Sequence, residues 1–267
     1  MSASKMYMLT ETSKFMMAFV IVTDQNNVVI IDGGRREDLP LLRQYVAGRK
    51  IKAWFLTHPH MDHIDAFIEA VQSNDPSFDI EAVYCNFPPA DFVRQYELAE
   101  AHTSDEFDAL RPLLGDRLHS AETGDVIPVD NLSFEVLYSW REEYGFTRNA
   151  VNDSSIVLRM TSENTSVLFL ADLGPEGGDK LMELSRERLP SEYCQMAHHG
   201  GLGVSMDVYF EISPRVCLWP APESMYNAPD KRHSYRMYYA GTTRRWMACI
   251  GAEKHIVTKD GTAEIEL

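Results

Sequence analysis

The sequence predicts an α/β fold in which two mixed β-sheets pack face to face with helices on the outside. Three observations predict it. Apolar, β-branched runs form hairpins at the start of each half of the chain, and strands alternating with helical segments follow each hairpin. In addition, 45% of the 267 residues are apolar, enough for a sizeable core without disulfides. No Pro/Gly/Ser-rich linker or short-period repeat divides the chain, so a single domain over residues 1–267 is expected.

The elements follow in order. Phe15 to Thr23 and Val28 to Ile31 read as a hairpin around the turn-forming stretch Asp24 to Asn27, and the second run ends in Asp32-Gly33-Gly34. Glu37 to Val46 has helical spacing, with Leu39, Leu42 and Val46 on one face, and Gly48 stops it. Ile51 to Leu56 is a buried strand leading into Thr57-His58-Pro59-His60-Met61-Asp62-His63, and a helix is expected from Asp65 to Gln72. Ile80 to Tyr84 reads as a further strand, and the acidic stretch Asp91 to Leu114 as one helix or two.

The second half repeats the plan. Val126 to Val129 with Leu132 to Tyr138, and Ser154 to Thr161 with Ser166 to Ala171, read as hairpins. Gly178 to Arg188 and Val204 to Ile212 read as helices, Tyr193 to Met196 and Val216 to Trp219 as strands. Short β segments near His255 to Lys259 and Thr262 to Leu267 close the chain.

Composition narrows the function. A formal net charge of −15 argues against a broad nucleic-acid surface, because phosphate backbones are bound mainly by Lys and Arg. It leaves room for an anionic small-molecule or phosphoester substrate at a metal site, where bound cations reverse the local sign. Met1 to Thr12 lacks the layout of a secretory signal, and no apolar run approaches the ~20 residues of a membrane span. The four scattered cysteines (Cys85, Cys194, Cys217 and Cys249) read as reduced thiols, so a cytoplasmic protein with no membrane partner is expected. Oligomeric state has no signature in the sequence.

The decisive segment is His58-Pro59-His60-Met61-Asp62-His63, four ligand-type side chains within six residues at the end of an apolar strand. Imidazole and carboxylate suit Zn²⁺ and related divalent ions. An H-x-H pair leaving a strand can aim both rings at one ion, and the turn that begins a helix can present Asp62 and His63 to a neighbouring one. A histidine-rich polar loop is the alternative, and the strand before and helix after the segment argue against it.

Thr57 to His63 resembles the T-H-x-H-x-D-H signature of the metallo-β-lactamase superfamily. The resemblance implies an αββα sandwich with two metal ions at one edge of the sheets. Ile30-Ile31-Asp32-Gly33-Gly34 resembles the motif whose Asp supports that site from behind the ligands, a general need of metal centres. Leu168 to Leu173 resembles the motif of the bridging carboxylate, here Asp172. In isolation that Asp reads equally well as a helix cap. Met196-Ala197-His198-His199-Gly200 resembles the last histidine motif. The sequence leaves open which histidine binds metal; His198 is favoured, with His199 beside it for substrate or proton transfer.

One departure matters. Where most family members carry a histidine ahead of the bridging Asp, this chain has Val151-Asn152-Asp153-Ser154-Ser155. In place of the histidine, Asn152 or Asp153 offers an oxygen. The N-D-x-S pattern with L-A-D and A-H-H-G resembles a branch that includes the hydrolase domain of bacterial DNA-uptake proteins and a teichoic-acid phosphorylcholine esterase.

The resemblance implies a hydroxide activated by two divalent ions, zinc or else manganese or iron, with Asp62 and Asp172 orienting it. Phosphodiester or related phosphoester hydrolysis is the implied activity. The alternatives are hydrolysis of a carbon-centred ester, thioester or lactam, and a metal-binding scaffold with little turnover. In the tail, Lys231 to Arg236 and Arg244-Arg245 are cationic. There Arg232 is a candidate phosphate contact and His233 a candidate catalytic histidine, its match to the branch's N-R-x-G-H-P-like stretch lacking the Gly and Pro. His102 and His119, in acidic helical or loop segments, read as surface residues, and His255 as structural.

Overall fold

The computed structural model describes residues 3–146, 148–229, 232–234 and 237–267, with 232–234, 237 and 238 described by their backbone alone. The first sheet contains β1 (Lys5–Met8), β2 (Ala18–Val22), β3 (Val28–Asp32), β4 (Lys50–Phe55), β5 (Asp79–Ile80), β6 (Val83–Cys85) and β7 (Leu118–Ser120). The second contains β8 (Val126–Val129), β9 (Leu132–Tyr138), β10 (Val157–Thr161), β11 (Ser166–Phe169), β12 (Tyr193–Gln195) and β13 (Val216–Trp219). A separate ribbon pairs β14 (Arg232–Ser234) with β15 (Met237–Tyr238). Of the last two strands, β16 (Lys254–Val257) joins the second sheet beside β13, and β17 (Ala263–Glu266) joins the first beside β1.

The apolar runs are continuous because both faces of these strands are buried, and alternate residues serve different layers. Phe19, Ile21, Val29, Ile31 and Phe55 point between the sheets, where they meet Phe134, Val136, Leu158, Val167 and Phe169. Phe19 and Phe169 meet edge to face across that interface, with centroids 5.0 Å apart. The intervening Val20, Ile30 and Trp54 point outward to α1 (Leu39–Val46), α2 (Met61–Gln72) and α4 (Ala101–Leu114). Behind the second sheet, Leu168 and Leu170 pack with Leu181 of α5 (Pro175–Ser185), Val208 of α6 (Met206–Ile212) and Trp246 of α8 (Ala240–Ile250). Two shorter helices, α3 (Ala90–Tyr96) and α7 (Glu223–Tyr226), complete the set. The result is the predicted pair of sheets between helical layers.

One strand appears that the sequence reading did not include, and three expectations are corrected. β1 pairs with both β2 and β17, a non-local arrangement that its short Lys-Met-Tyr-Met pattern does not advertise. The strand expected over Ile80 to Tyr84 is two short strands. α2 begins at Met61, four residues earlier than expected, which puts Asp62 and His63 inside its first turn. His119 lies on the edge strand β7, exposed and stacked on Tyr84, rather than in a helix or loop. Cys85, Cys194 and Cys217 are buried free thiols, while Cys249 is exposed on α8. Among the described residues no helix is long and apolar enough to cross a membrane.

Candidate metal centre

β3 and β4 run parallel in one sheet, and β11, β12 and β13 run parallel in the other. Asp32 ends β3, Thr57 to His60 follow β4, Asp172 follows β11, His198 and His199 follow β12, and Pro220 follows β13. The carboxyl ends of these five strands carry the site. Backbone strain collects there too. Asp32, Ala171, His198 and His199 all have positive φ, between 49° and 56°, a conformation that costs non-glycine residues free energy and persists only where surroundings enforce it. Gly200 continues the turn at φ 91°, and a Cβ there would lie 2.4 Å from the Trp219 ring. The H-H-G sequence therefore needs its glycine.

Asp62, His63, Asp172 and His199 each place a ligand-type atom within 4.8 Å of the others, and all four are buried. His63 Nε2 is 3.4 Å from Asp172 Oδ1 and 3.7 Å from Asp62 Oδ2. His199 Nε2 is 3.1 Å from Asp62 Oδ2 and 3.6 Å from Asp172 Oδ2. The two oxygens of Asp172 thus face different histidines, the disposition a bridging carboxylate needs. His58 stands beside this group, with its ring centroid 4.2 Å from that of His63 and 4.4 Å from that of His60.

Each of these rings except His198 is held through one nitrogen. Asp32 accepts from the Thr57 backbone N–H at 2.8 Å and from its hydroxyl at 2.7 Å, and its Oδ2 lies 2.7 Å from His63 Nδ1. His58 Nδ1 lies 3.1 Å from the Thr57 hydroxyl, and His199 Nδ1 donates to the Pro220 carbonyl at 2.7 Å. His60 Nε2 lies 3.1 Å from Glu97 Oε2. Such partners fix the tautomer and leave the opposite nitrogen as a lone-pair donor.

His198 differs. Its Nδ1 is buried without a partner, its Nε2 is 3.6 Å from Asp172 Oδ2, and its side chain is 22% exposed. The four-residue cluster thus takes in His199, which reaches both Asp62 and Asp172, whereas the favoured His198 approaches Asp172 from beside it.

The candidate oxygens from the N-D-x-S segment separate. Asp153 is engaged elsewhere, accepting the Gly177 backbone N–H in the first turn of α5 at 2.9 Å. Asn152 donates from Nδ2 to Asn149, while its Oδ1 is buried without a partner. The side chains of Arg232 and His233 lie outside the described residues.

Sequence reasoning missed three neighbours. Glu97 is one acid among many in the Asp91 to Leu114 stretch, and no spacing marks it. Gln195 accepts from Leu170 N–H at 2.9 Å and donates to the Ala171 carbonyl at 3.0 Å, tying the two loops that carry Asp172 and the histidine pair. Phe15 meets the His199 ring edge-on at 5.2 Å, and the Arg35 guanidinium lies over its face. His255 accepts from Trp219 Nε1 at 3.0 Å and stacks on that ring, as a structural residue does.

The carboxylates and rings of the cluster shift one another: burial opposes charge on His63, yet Asp172, Asp32 and Asp62 hold it well above its usual value. Burial opposes charge on Asp172, yet His63, His199 and His198 around it hold its carboxyl well below the usual range. Burial, with His63 and His60 adding to it, holds His58 well below its usual value, hence neutral as a ligand must be. Fit to a metal is visible in atoms that are otherwise hard to explain: His58 Nε2, His63 Nε2 and Asp172 Oδ1 are buried with no hydrogen-bond partner. Orphaned buried polar atoms are rare and costly, and two of these three belong to the buried cluster of Asp62, His63, Asp172 and His199, a candidate ligand set.

The metallo-β-lactamase superfamily model matches residues 17–212. The chain belongs to that superfamily. Solved structures agree on the fold. A metallo-β-lactamase fold protein, YhfI from Bacillus subtilis, is 12% identical, with TM-score 0.60 over 99% of this chain and 100% of its own. A diphosphatase of the PhnP family is 13% identical, with TM-score 0.54 over 99% and 98%. CmlA, a diiron β-hydroxylase from Streptomyces venezuelae, is 10% identical, with TM-score 0.55 over 100% of this chain and 55% of that one. No curated protein matches the sequence significantly. This metallo-β-lactamase-fold chain thus has a candidate metal-binding cluster where its sequence motifs converge.

Proposed function

We propose that the chain is a metal-dependent hydrolase that uses two divalent ions on a phosphodiester or related phosphoester. The observation that carries the proposal is the buried cluster of Asp62, His63, Asp172 and His199, with unpartnered buried atoms on His58, His63 and Asp172. Asp62, His63 and His199 would hold one ion, His58 and His60 the other, and Asp172 would span both. When bound, such ions lower the pKa of a water and oppose charge developing on the substrate oxygens.

The chain's own residues do the rest. Asp62 and Asp172 orient the attacking water between them, and Asp32 and the Pro220 carbonyl keep the His63 and His199 rings from turning. His198, partly exposed beside Asp172, is the histidine placed to touch substrate. We assign phosphate contacts to Arg232 and His233 on sequence grounds. The phosphoester preference rests on the N-D-x-S, L-A-D and A-H-H-G resemblance and on the diphosphatase among the structural neighbours. Zinc is the proposed metal; iron is the competitor, since the hydroxylase neighbour is a diiron protein.

Elemental analysis of purified protein, paired with turnover of bis-nitrophenyl phosphate, nitrocefin and a thioester, tests the reading. We expect about two metals per chain and phosphodiester turnover exceeding both acyl activities. Metal-loaded protein that hydrolyses only the acyl substrates would move the assignment to carbon-centred esters. Protein that binds metal and hydrolyses nothing would make it a scaffold.

A further inference from the structure

His60 is the one ring of the cluster held by a side chain from a distant surface element. Glu97 lies at the junction of α3 and α4, where its own backbone N–H closes on the Val93 carbonyl at 2.7 Å. Its Oε2 reaches His60 Nε2 at 3.1 Å. Within the same junction, Glu100 Oε2 accepts the Met61 backbone N–H at 3.1 Å. Two carboxylates from one short turn, Leu98–Glu100 and the residue before it, therefore grip consecutive residues at the start of α2. His60 itself is the extended residue that precedes that helix, and its ring makes no capping hydrogen bond to the helix's own backbone.

A carboxylate on Nε2 favours the tautomer with hydrogen there and the lone pair on Nδ1. The His60 ring is 9% exposed and packs 4.4 Å from that of His58, so packing confines the ring while the carboxylate, reaching in from a side chain that is 36% exposed, selects which nitrogen carries the hydrogen. By the sequence resemblance, Asn152 replaces the family's further histidine for the ion that His58 and His60 would hold. With fewer ligands, affinity depends more on how rigidly each remaining one is presented.

We propose that Glu97 is the positioning residue of His60, locking the Nε2–H tautomer so that Nδ1 is presented to the ion shared with His58, and that the α3–α4 junction is the clamp that holds it there. The proposal rests on the metal-hydrolase reading. It makes Glu97 a determinant of occupancy at one ion position and leaves the position of Asp62, His63 and His199 to its own partners.

The test is Zn²⁺ binding by the full chain, read by competition with a chromophoric chelator, together with the visible spectrum of the Co²⁺-loaded protein. Wild type, Glu97→Ala, Glu97→Gln and Leu113→Ala are compared, the last an exposed residue at the far end of α4, outside the junction. In Glu97→Ala we expect one ion to weaken by about 10–100-fold, with the other unchanged. We also expect altered Co²⁺ bands in that variant. Glu97→Gln keeps an oxygen acceptor for Nε2–H and should recover most of the affinity and the wild-type spectrum, and Leu113→Ala should match wild type.

Two results overturn the proposal: Glu97→Ala binding both ions as wild type does, or Glu97→Gln falling as far as Glu97→Ala, which would make the charge itself a ligand. Near-ultraviolet circular dichroism of each variant separates lost binding from lost fold. Wild-type protein that binds no Zn²⁺ at all sinks the metal-hydrolase reading instead, so the two failures are distinguishable.

Discussion

The two sides of the cluster are built to different standards. On the side of Asp62, His63 and His199, both rings have partners that are buried or belong to the backbone: Asp32 behind His63, and the Pro220 carbonyl behind His199. His58 and His60 are backed by a threonine hydroxyl and a half-exposed glutamate. The contrast teaches that ligand identity is only part of a metal site, since the groups behind the ligands decide how rigidly each is presented. Under the proposed function, the two ion positions should differ in affinity, with the His58–His60 side the weaker.

The largest effect should come from the residue that belongs to both sides. Asp172→Ala is expected to lose both ions and to lower phosphodiester turnover by about 10²–10³-fold or more. His60→Ala should lose only the weaker ion, leaving about one metal per chain by elemental analysis. If His60→Ala instead empties both positions, the two sides are one cooperative unit and the comparison fails. Next comes the histidine pair. His199→Ala should lose the tighter ion, whereas His198→Ala should keep both and slow turnover. The reverse pattern would restore the sequence-based preference for His198.

That preference shows where the sequence stopped. The first layer was legible because its cause is local: His58, His60, Asp62 and His63 follow one another directly after a strand, and period-2 apolar runs such as Phe19 to Val22 serve two layers at once. The choice between His198 and His199 was not, because it depends on a turn of two consecutive positive-φ residues that sends adjacent side chains to different surroundings. Glu97 was illegible for another reason. Its partner is 37 residues away, and only the packing of the α3–α4 junction against the start of α2 brings them together. β1 escaped in the same way, since its pairing with β17 joins the two ends of the chain.

The smallest predicted effect tests whether Asp153 belongs to the weak side of the site or to the fold. Its Oδ1 accepts the Gly177 N–H, its backbone carbonyl accepts the Tyr138 hydroxyl at 2.6 Å, and its Oδ2 is buried without a partner. Burial pushes its carboxyl up to about 7, with Glu176 and Asp179 of the adjoining helix adding to the rise. For an acid raised in the folded state, the unfolded chain gives up its proton first as pH increases. This contribution to stability is therefore complete below about pH 4, declines between about pH 4 and 7, and stays at its minimum above that. Asp153→Asn keeps an acceptor for Gly177 and removes the titration. The melting temperature of the variant should gain on that of wild type between pH 5 and pH 8, by about 2–4 °C per kcal/mol relieved. Measured on metal-free protein, an unchanged gap across that range would contradict the burial argument. A metal-loaded variant that binds fewer ions than wild type would return Asp153 to the ligand set and make the weaker side less deficient than it looks.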